Sequence, residues 1–77
     1  IDIGGSGIKG LVVAEDGKPV TERIRLLPPR PATPDAVLGA IEQIAGRSGP
    51  FDRVAAGFPG VVMHGITHTA PNLHESW

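Results

Sequence analysis

Cysteine is absent from this 77-residue chain. That excludes a disulfide framework and a thiolate metal site, and it fits a reducing compartment, the cytoplasm. Aromatic residues make up only 4%, too few for a base-stacking platform. Neither sign of charge dominates. Seven Lys and Arg face eight Asp and Glu, a formal net charge of -1, so there is no basic stripe for nucleic acid or an acidic membrane. No apolar run approaches the roughly 18 residues of a membrane helix, and no signal peptide is visible. Nothing repeats. Length sets a further bound, because a domain of about 60 residues buries only about 60% of its unfolded surface, so a thin core is expected. The chain opens on the apolar Ile1 rather than Met, and the expectation is a segment of a larger protein.

Glycine and proline are abundant, with 11 and 8 residues, about a quarter of the chain. They punctuate a readable pattern. Ile1, Asp2 and Ile3 end a buried strand, and Gly4, Gly5, Ser6 and Gly7 turn out of it. Residues 8–14 form a second strand and 19–26 a third, joined by Asp16-Gly17 as a type I′ hairpin turn. In the third strand Val20, Ile24 and Leu26 share one face, and Thr21, Arg23 and Arg25 the other, the period of two of a half-exposed strand. Prolines 28, 29, 31 and 34 break regular structure as a linker. A helix is predicted over 33–46, with Thr33 as N-cap, Pro34 at the first helical position, Asp35 in the first turn and Gly46 as its stop. Val37, Leu38, Ile41, Ile44 and Ala45 form its core stripe. Residues 53–57 read as a short buried strand, followed by a small hairpin around His64-Gly65. The order β-β-β-α-β is not the alternating pattern of a dinucleotide fold.

The string Gly5-Ser6-Gly7-Ile8-Lys9-Gly10 fits G-x-G-x-x-G, yet strand residues follow it where a dinucleotide site needs a helix. It is no Walker A loop either, because Leu11 stands where Lys would. What remains is a tight turn whose successive N–H groups can hold phosphate oxygens. Ser6 adds a hydroxyl, Lys9 a positive charge, and Asp2 a carboxylate able to hold Mg²⁺ through water. The plain alternative is a structural glycine-rich hairpin. His64, His68 and His74 read as solvated loop residues rather than a metal site, since no ligand set is complete. No Ser-His-Asp arrangement can be proposed, and Trp77 reads as a packing anchor before a sugar platform.

The run from Asp2 to Gly10 resembles the first phosphate motif of the fold shared by actin, hexokinase and heat-shock ATPases. Together with Gly57-Phe58-Pro59-Gly60-Val61-Val62, Gly65-Ile66, Thr69-Ala70-Pro71-Asn72-Leu73 and Trp77, it resembles sugar kinases of the ROK family (repressor, open reading frame, kinase). Ser6, where most of that family has Thr, and the Asn72 to Trp77 spacing are similar to its polyphosphate glucokinases.

This resemblance implies an α/β fold, a ribonuclease H-like or actin-like ATPase lobe. Its partial N-terminal lobe would comprise phosphate-binding hairpins over 1–27, a helix over 33–46 and a sugar-side strand and loop over 53–77. It also implies phosphoryl transfer from polyphosphate or ATP to a hexose, foremost glucose. Gly4, Gly5, Ser6 and Lys9 would bind phosphate, Asp2 a magnesium ion, and Gly60 and Asn72 the sugar. The family's base is an Asp in an Asn-Asp pair, which these residues lack, so no catalytic residue is expected here and the base is expected downstream. Alone, the chain is expected to be inactive and marginally folded. The implied protein is cytoplasmic and homodimeric. The alternatives are a sugar-sensing regulator of the same family, with a DNA-binding domain ahead of Ile1, and a non-catalytic sugar-binding fragment.

Overall fold

The computed structural model describes residues 1–77. A glycine-rich turn folds β1 (Asp2–Gly4) back on β2 (Gly7–Gly10), and β3 (Ile24–Leu26) pairs with β2 on its other side. All three run antiparallel in the order β1-β2-β3. The period of two assigns the faces. Ile3, Ile8 and Leu26 stand in register on one face, and Asp2, Lys9 and Arg25 on the other.

The apolar face is covered by α1 (Pro34–Ser48). Thr33 caps it as expected, its Oγ1 accepting from the Ala36 N–H at 3.3 Å. Gly46 does not stop it. The helix continues to Ser48, and Gly49, at φ 78°, ends it. A glycine within a helix costs only about 1 kcal/mol, and the Ser48 hydroxyl is satisfied by the Ile44 carbonyl at 2.7 Å. The buried stripe is Val37, Ala40, Ile44 and Ser48. Leu38, expected inside, is 54% exposed. The sheet is too narrow to cover the flank that Leu38 occupies.

Ile3, Ile8, Val37, Ala40 and Ile44 form the core, with Ile1, Ile24, Leu26, Phe58, Leu73 and Trp77 among the residues packed around it. Only 8 of 77 residues are buried, so the core is as thin as the length implies.

The second and third strands are shorter than expected. Beyond Gly10 the chain continues as a two-stranded arm held by the Val20 N–H to the Val12 carbonyl at 2.8 Å and an isolated Val13 to Pro19 bridge. Its tip is not the type I′ turn. Only Gly17 has positive φ, at 83°. The Gly17 N–H bonds the Ala14 carbonyl and the Ala14 N–H bonds the Lys18 carbonyl, a type I turn closed by a left-handed glycine.

Residues 53–57 lie alongside β1, with the Ile3 N–H on the Gly57 carbonyl at 3.0 Å and the Gly57 N–H on the Ile1 carbonyl at 2.8 Å. The single bridge, Asp2 to Gly57, is parallel. Contrary to expectation this segment is exposed, Val54 at 63%, because it forms the sheet edge and the helix does not reach over it. The hairpin around His64-Gly65 is present as β4 (Val62–Met63) and β5 (Ile66–Thr67). His64 and Gly65 both take positive φ, 52° and 74°, the type I′ geometry that sets its register. No helix is long and apolar enough to cross a membrane.

Candidate functional site

The turn between β1 and β2 places Gly5 and Ser6 at its tip, both exposed. Neither takes a positive φ, so the glycines are not there for a left-handed backbone. They are there for close approach. A Cβ on Gly4 would stand 3.2 Å from the Gly7 carbonyl oxygen, one on Gly7 3.0 Å from the Arg25 Nε, and one on Gly5 3.0 Å from the Asn72 Cβ. The Gly5 and Ser6 N–H groups take part in no backbone hydrogen bond of the chain. Two adjacent free donors at an exposed turn can accept an anion.

Asp2 and Lys9 stand opposite each other on the open sheet face, with Lys9 Nζ 3.7 Å from the Asp2 carboxylate. The Asp2 side chain is 67% exposed, so the pair is weak and each partner can turn to a ligand. No group of three or more acidic or histidine side chains converges anywhere. Asp2 stands two register positions from the turn, and one exposed carboxylate still suits Mg²⁺, which keeps several waters and takes the rest of its ligands from substrate phosphates.

Asn72 reaches the turn through a chain of contacts that starts at the other end of the molecule. The Trp77 Nε1–H donates to the Ala32 carbonyl at 2.8 Å, and the His74 N–H donates to the same oxygen. The Trp77 ring packs on Phe58, centroids 4.9 Å apart. Trp77 is thus a packing anchor. It fixes residues 73–77 against the start of α1, and this seats Asn72 on Gly5. A shallow cavity of about 230 Å³ opens there, lined by Gly5, the prolines 28, 29 and 31, and residues 72–74.

Gly60 sits elsewhere in the same loop system. A Cβ on it would collide with the Thr69 carbonyl oxygen, and its N–H is committed to the Phe58 carbonyl at 2.9 Å. Its carbonyl remains the backbone group that a ligand can meet. The histidines do not gather at the turn. His74 Nδ1 is 2.7 Å from the Ser76 hydroxyl, and His64 serves the β4–β5 turn.

One residue at the site was not singled out from sequence. Arg25 donates from Nη2 to the Ser6 carbonyl at 2.9 Å and lies against Gly7. Its only sequence signal was its place on the open face of the third strand.

The chain is 46% identical over 78 aligned positions to a polyphosphate glucokinase of Mycobacterium tuberculosis, covering all of this chain and 29% of that protein. It is 45% identical to a polyphosphate glucokinase of Mycobacterium leprae, of which it spans 24%. Among solved structures it matches the inorganic polyphosphate/ATP-glucomannokinase of Arthrobacter sp. strain KM, with TM-score 0.84 and 39% identity over 99% of this chain and 33% of that one. No protein-family model matches. The chain shares the fold of that third of the glucomannokinase, a small α/β unit, and over its whole length it resembles a segment of polyphosphate glucokinases. It spans under a third of the length of these curated relatives.

Proposed function

We propose that this chain forms the donor side and part of the sugar side of a hexose kinase, which moves a phosphoryl group from polyphosphate or ATP to glucose, giving glucose 6-phosphate. The observation that carries the reading is the contact between Gly5 and Asn72. It sets an anion-accepting turn against an exposed amide that can both donate to and accept from a sugar hydroxyl. Phosphoryl transfer needs that juxtaposition, because it depends on holding donor phosphate and acceptor hydroxyl in line.

In this reading the free N–H groups of Gly5 and Ser6, the Ser6 hydroxyl and Lys9 hold the transferred phosphate and offset its charge. Gly4 permits the tight turn. Asn72, with the Gly60 carbonyl, orients the sugar. Asp2 would hold Mg²⁺, which when bound neutralises charge on the donor phosphates. The proton acceptor for the sugar hydroxyl lies outside these residues. Membership of the ROK family, cytoplasmic location and assembly as a homodimer belong to the same proposal and rest on the family resemblance. The relatives bear the names of kinases, which favours the enzyme over a sugar-sensing regulator.

The test is formation of glucose 6-phosphate by the natural full-length protein, with glucose and either polyphosphate or ATP. Ser6→Ala should raise the KM for donor, and Asn72→Ala the KM for glucose, each about tenfold, the loss of one hydrogen bond to a charged or tightly held partner. Absence of turnover with both donors refutes the kinase, and unchanged KM values refute the roles.

A further inference from the structure

We propose that Arg25 is a binding residue for a polyanionic phosphate chain, extending the donor site from the β1–β2 turn across the open face of the sheet; the identity of the ligand as phosphoryl donor rests on the kinase reading above. Three observations carry it.

First, the guanidinium is already at the turn. Nη2 donates to the Ser6 carbonyl at 2.9 Å, and Nε would stand 3.0 Å from a Cβ on Gly7. Arginine has five N–H donors in a rigid fork. The Ser6 bond uses one of them, and the guanidinium makes no other hydrogen bond within the chain. The remaining donors lie at the Ser6–Gly7 side of the turn.

Second, Arg25 stands directly across from Lys9 in the β2–β3 register. Like charges directly opposite each other in a sheet are destabilising. The bond from Arg25 to the Ser6 carbonyl needs one donor and no charge, so it does not account for a second cation beside Lys9. Asp2, on the far side of Lys9, balances a single charge at 3.7 Å, so the row of Asp2, Lys9 and Arg25 carries a net positive charge that an anion would relieve.

Third, the geometry favours a chain over an isolated ion. Lys9 and Arg25 are cross-strand neighbours on the open face, and Arg25 reaches from there to the turn at Ser6, so cationic groups and turn donors are spread over more than one phosphate's width. Inorganic polyphosphate carries a charge on every phosphate and can meet such a row at several points. A guanidinium can hold one of these phosphates with two parallel N–H bonds.

The experiment uses the full-length protein and reads direct binding of inorganic polyphosphate as a function of salt, together with the KM for polyphosphate and for glucose. Arg25→Gln should weaken polyphosphate binding and raise its KM about tenfold or more, and should reduce the salt slope of log K by about 0.7, one phosphate contact. The KM for glucose should not move. Arg25→Lys keeps the charge and should retain the salt slope. Arg47→Gln, in the last turn of the helix on the opposite side of the sheet, is the control for loss of a positive charge. Wild-type slope and affinity in Arg25→Gln, or an equal loss in Arg47→Gln, overturn the proposal. So does a fall in thermal stability of Arg25→Gln with the salt slope intact, which marks a structural clamp. Arg25-dependent polyphosphate binding in a protein that phosphorylates no sugar upholds this inference and refutes the kinase reading alone.

Discussion

Gly10→Ala tests the packing of the sheet on the helix with a single methyl group. Gly10 is buried at the end of β2. A Cβ there would lie 2.6 Å from the Ile44 Cγ2 and 2.8 Å from the Ile1 Cδ1, distances that no packed methyl group tolerates. The two neighbours differ in how they can respond. Ile1 Cδ1 is the free end of a half-buried side chain and can rotate away. Ile44 is 1% exposed, and its Cγ2 is fixed to a β-branched stem with one strongly preferred helical rotamer. The helix or the strand must therefore shift. Overpacking of this kind costs roughly 1–3 kcal/mol. The backbone at Gly10 is not in the positive-φ region, so alanine also gains about 0.4–1 kcal/mol by restricting the unfolded chain. The net expectation is a loss of about 1–2 kcal/mol, read as a lower urea midpoint with the slope unchanged. Ile44→Leu removes Cγ2 at nearly constant volume, so the double variant should be less destabilised than the two single losses added together. Residues in contact couple by about 0.5–3 kcal/mol in such cycles. A neutral or stabilising Gly10→Ala refutes the packing argument, and strict additivity with Ile44→Leu refutes the identity of the clashing atom.

Gly46→Ala should act in the opposite direction. Nothing lies within 4 Å of its would-be Cβ, the helix continues to Ser48, and the gain is about 1 kcal/mol of helix propensity in the same denaturation assay; no gain would place the true helix end before Gly46. Gly5→Ala should leave stability nearly unchanged yet raise the KM for glucose, because the new methyl would stand 3.0 Å from the Asn72 Cβ and must push Asn72 away by a few tenths of an ångström; a KM equal to wild type would detach Asn72 from the sugar.

Much of the architecture was legible because its signals are local. Thr33, Pro34 and Asp35 announce the helix start through side-chain chemistry within one turn, and His64-Gly65 announces a hairpin through backbone conformation. The misread elements depend on partners distant in sequence. Gly46 and Gly49 are equivalent as stop signals until packing decides how far the helix is worth continuing. Leu38 is as apolar as Ile41, and only the width of a three-stranded sheet leaves it outside while Ala40 is covered. Residues 53–57 have the composition of a buried strand but lie at an edge, which no window of sequence reports. Arg25 was hidden for the same reason. Alternation fixed the face it occupies, but the register with Lys9 and the bond to Ser6 span 16 and 19 residues.

The glycine-rich string marks where the chain turns and is silent about why each glycine is there. Glycine serves either to permit a left-handed backbone or to leave room. In a nucleotide-binding loop both uses are mixed, so the string alone does not separate them. Here none of Gly4, Gly5, Gly7 and Gly10 has positive φ, and each leaves room for a different neighbour: the opposite strand of the turn, Asn72, Arg25, and the Ile44 and Ile1 side chains. The spacing therefore encodes four contacts rather than one loop conformation. Two of those contacts hold the fold together. The other two bring an amide and a guanidinium to the same turn, and they are the ones through which substitutions should change ligand affinity more than stability.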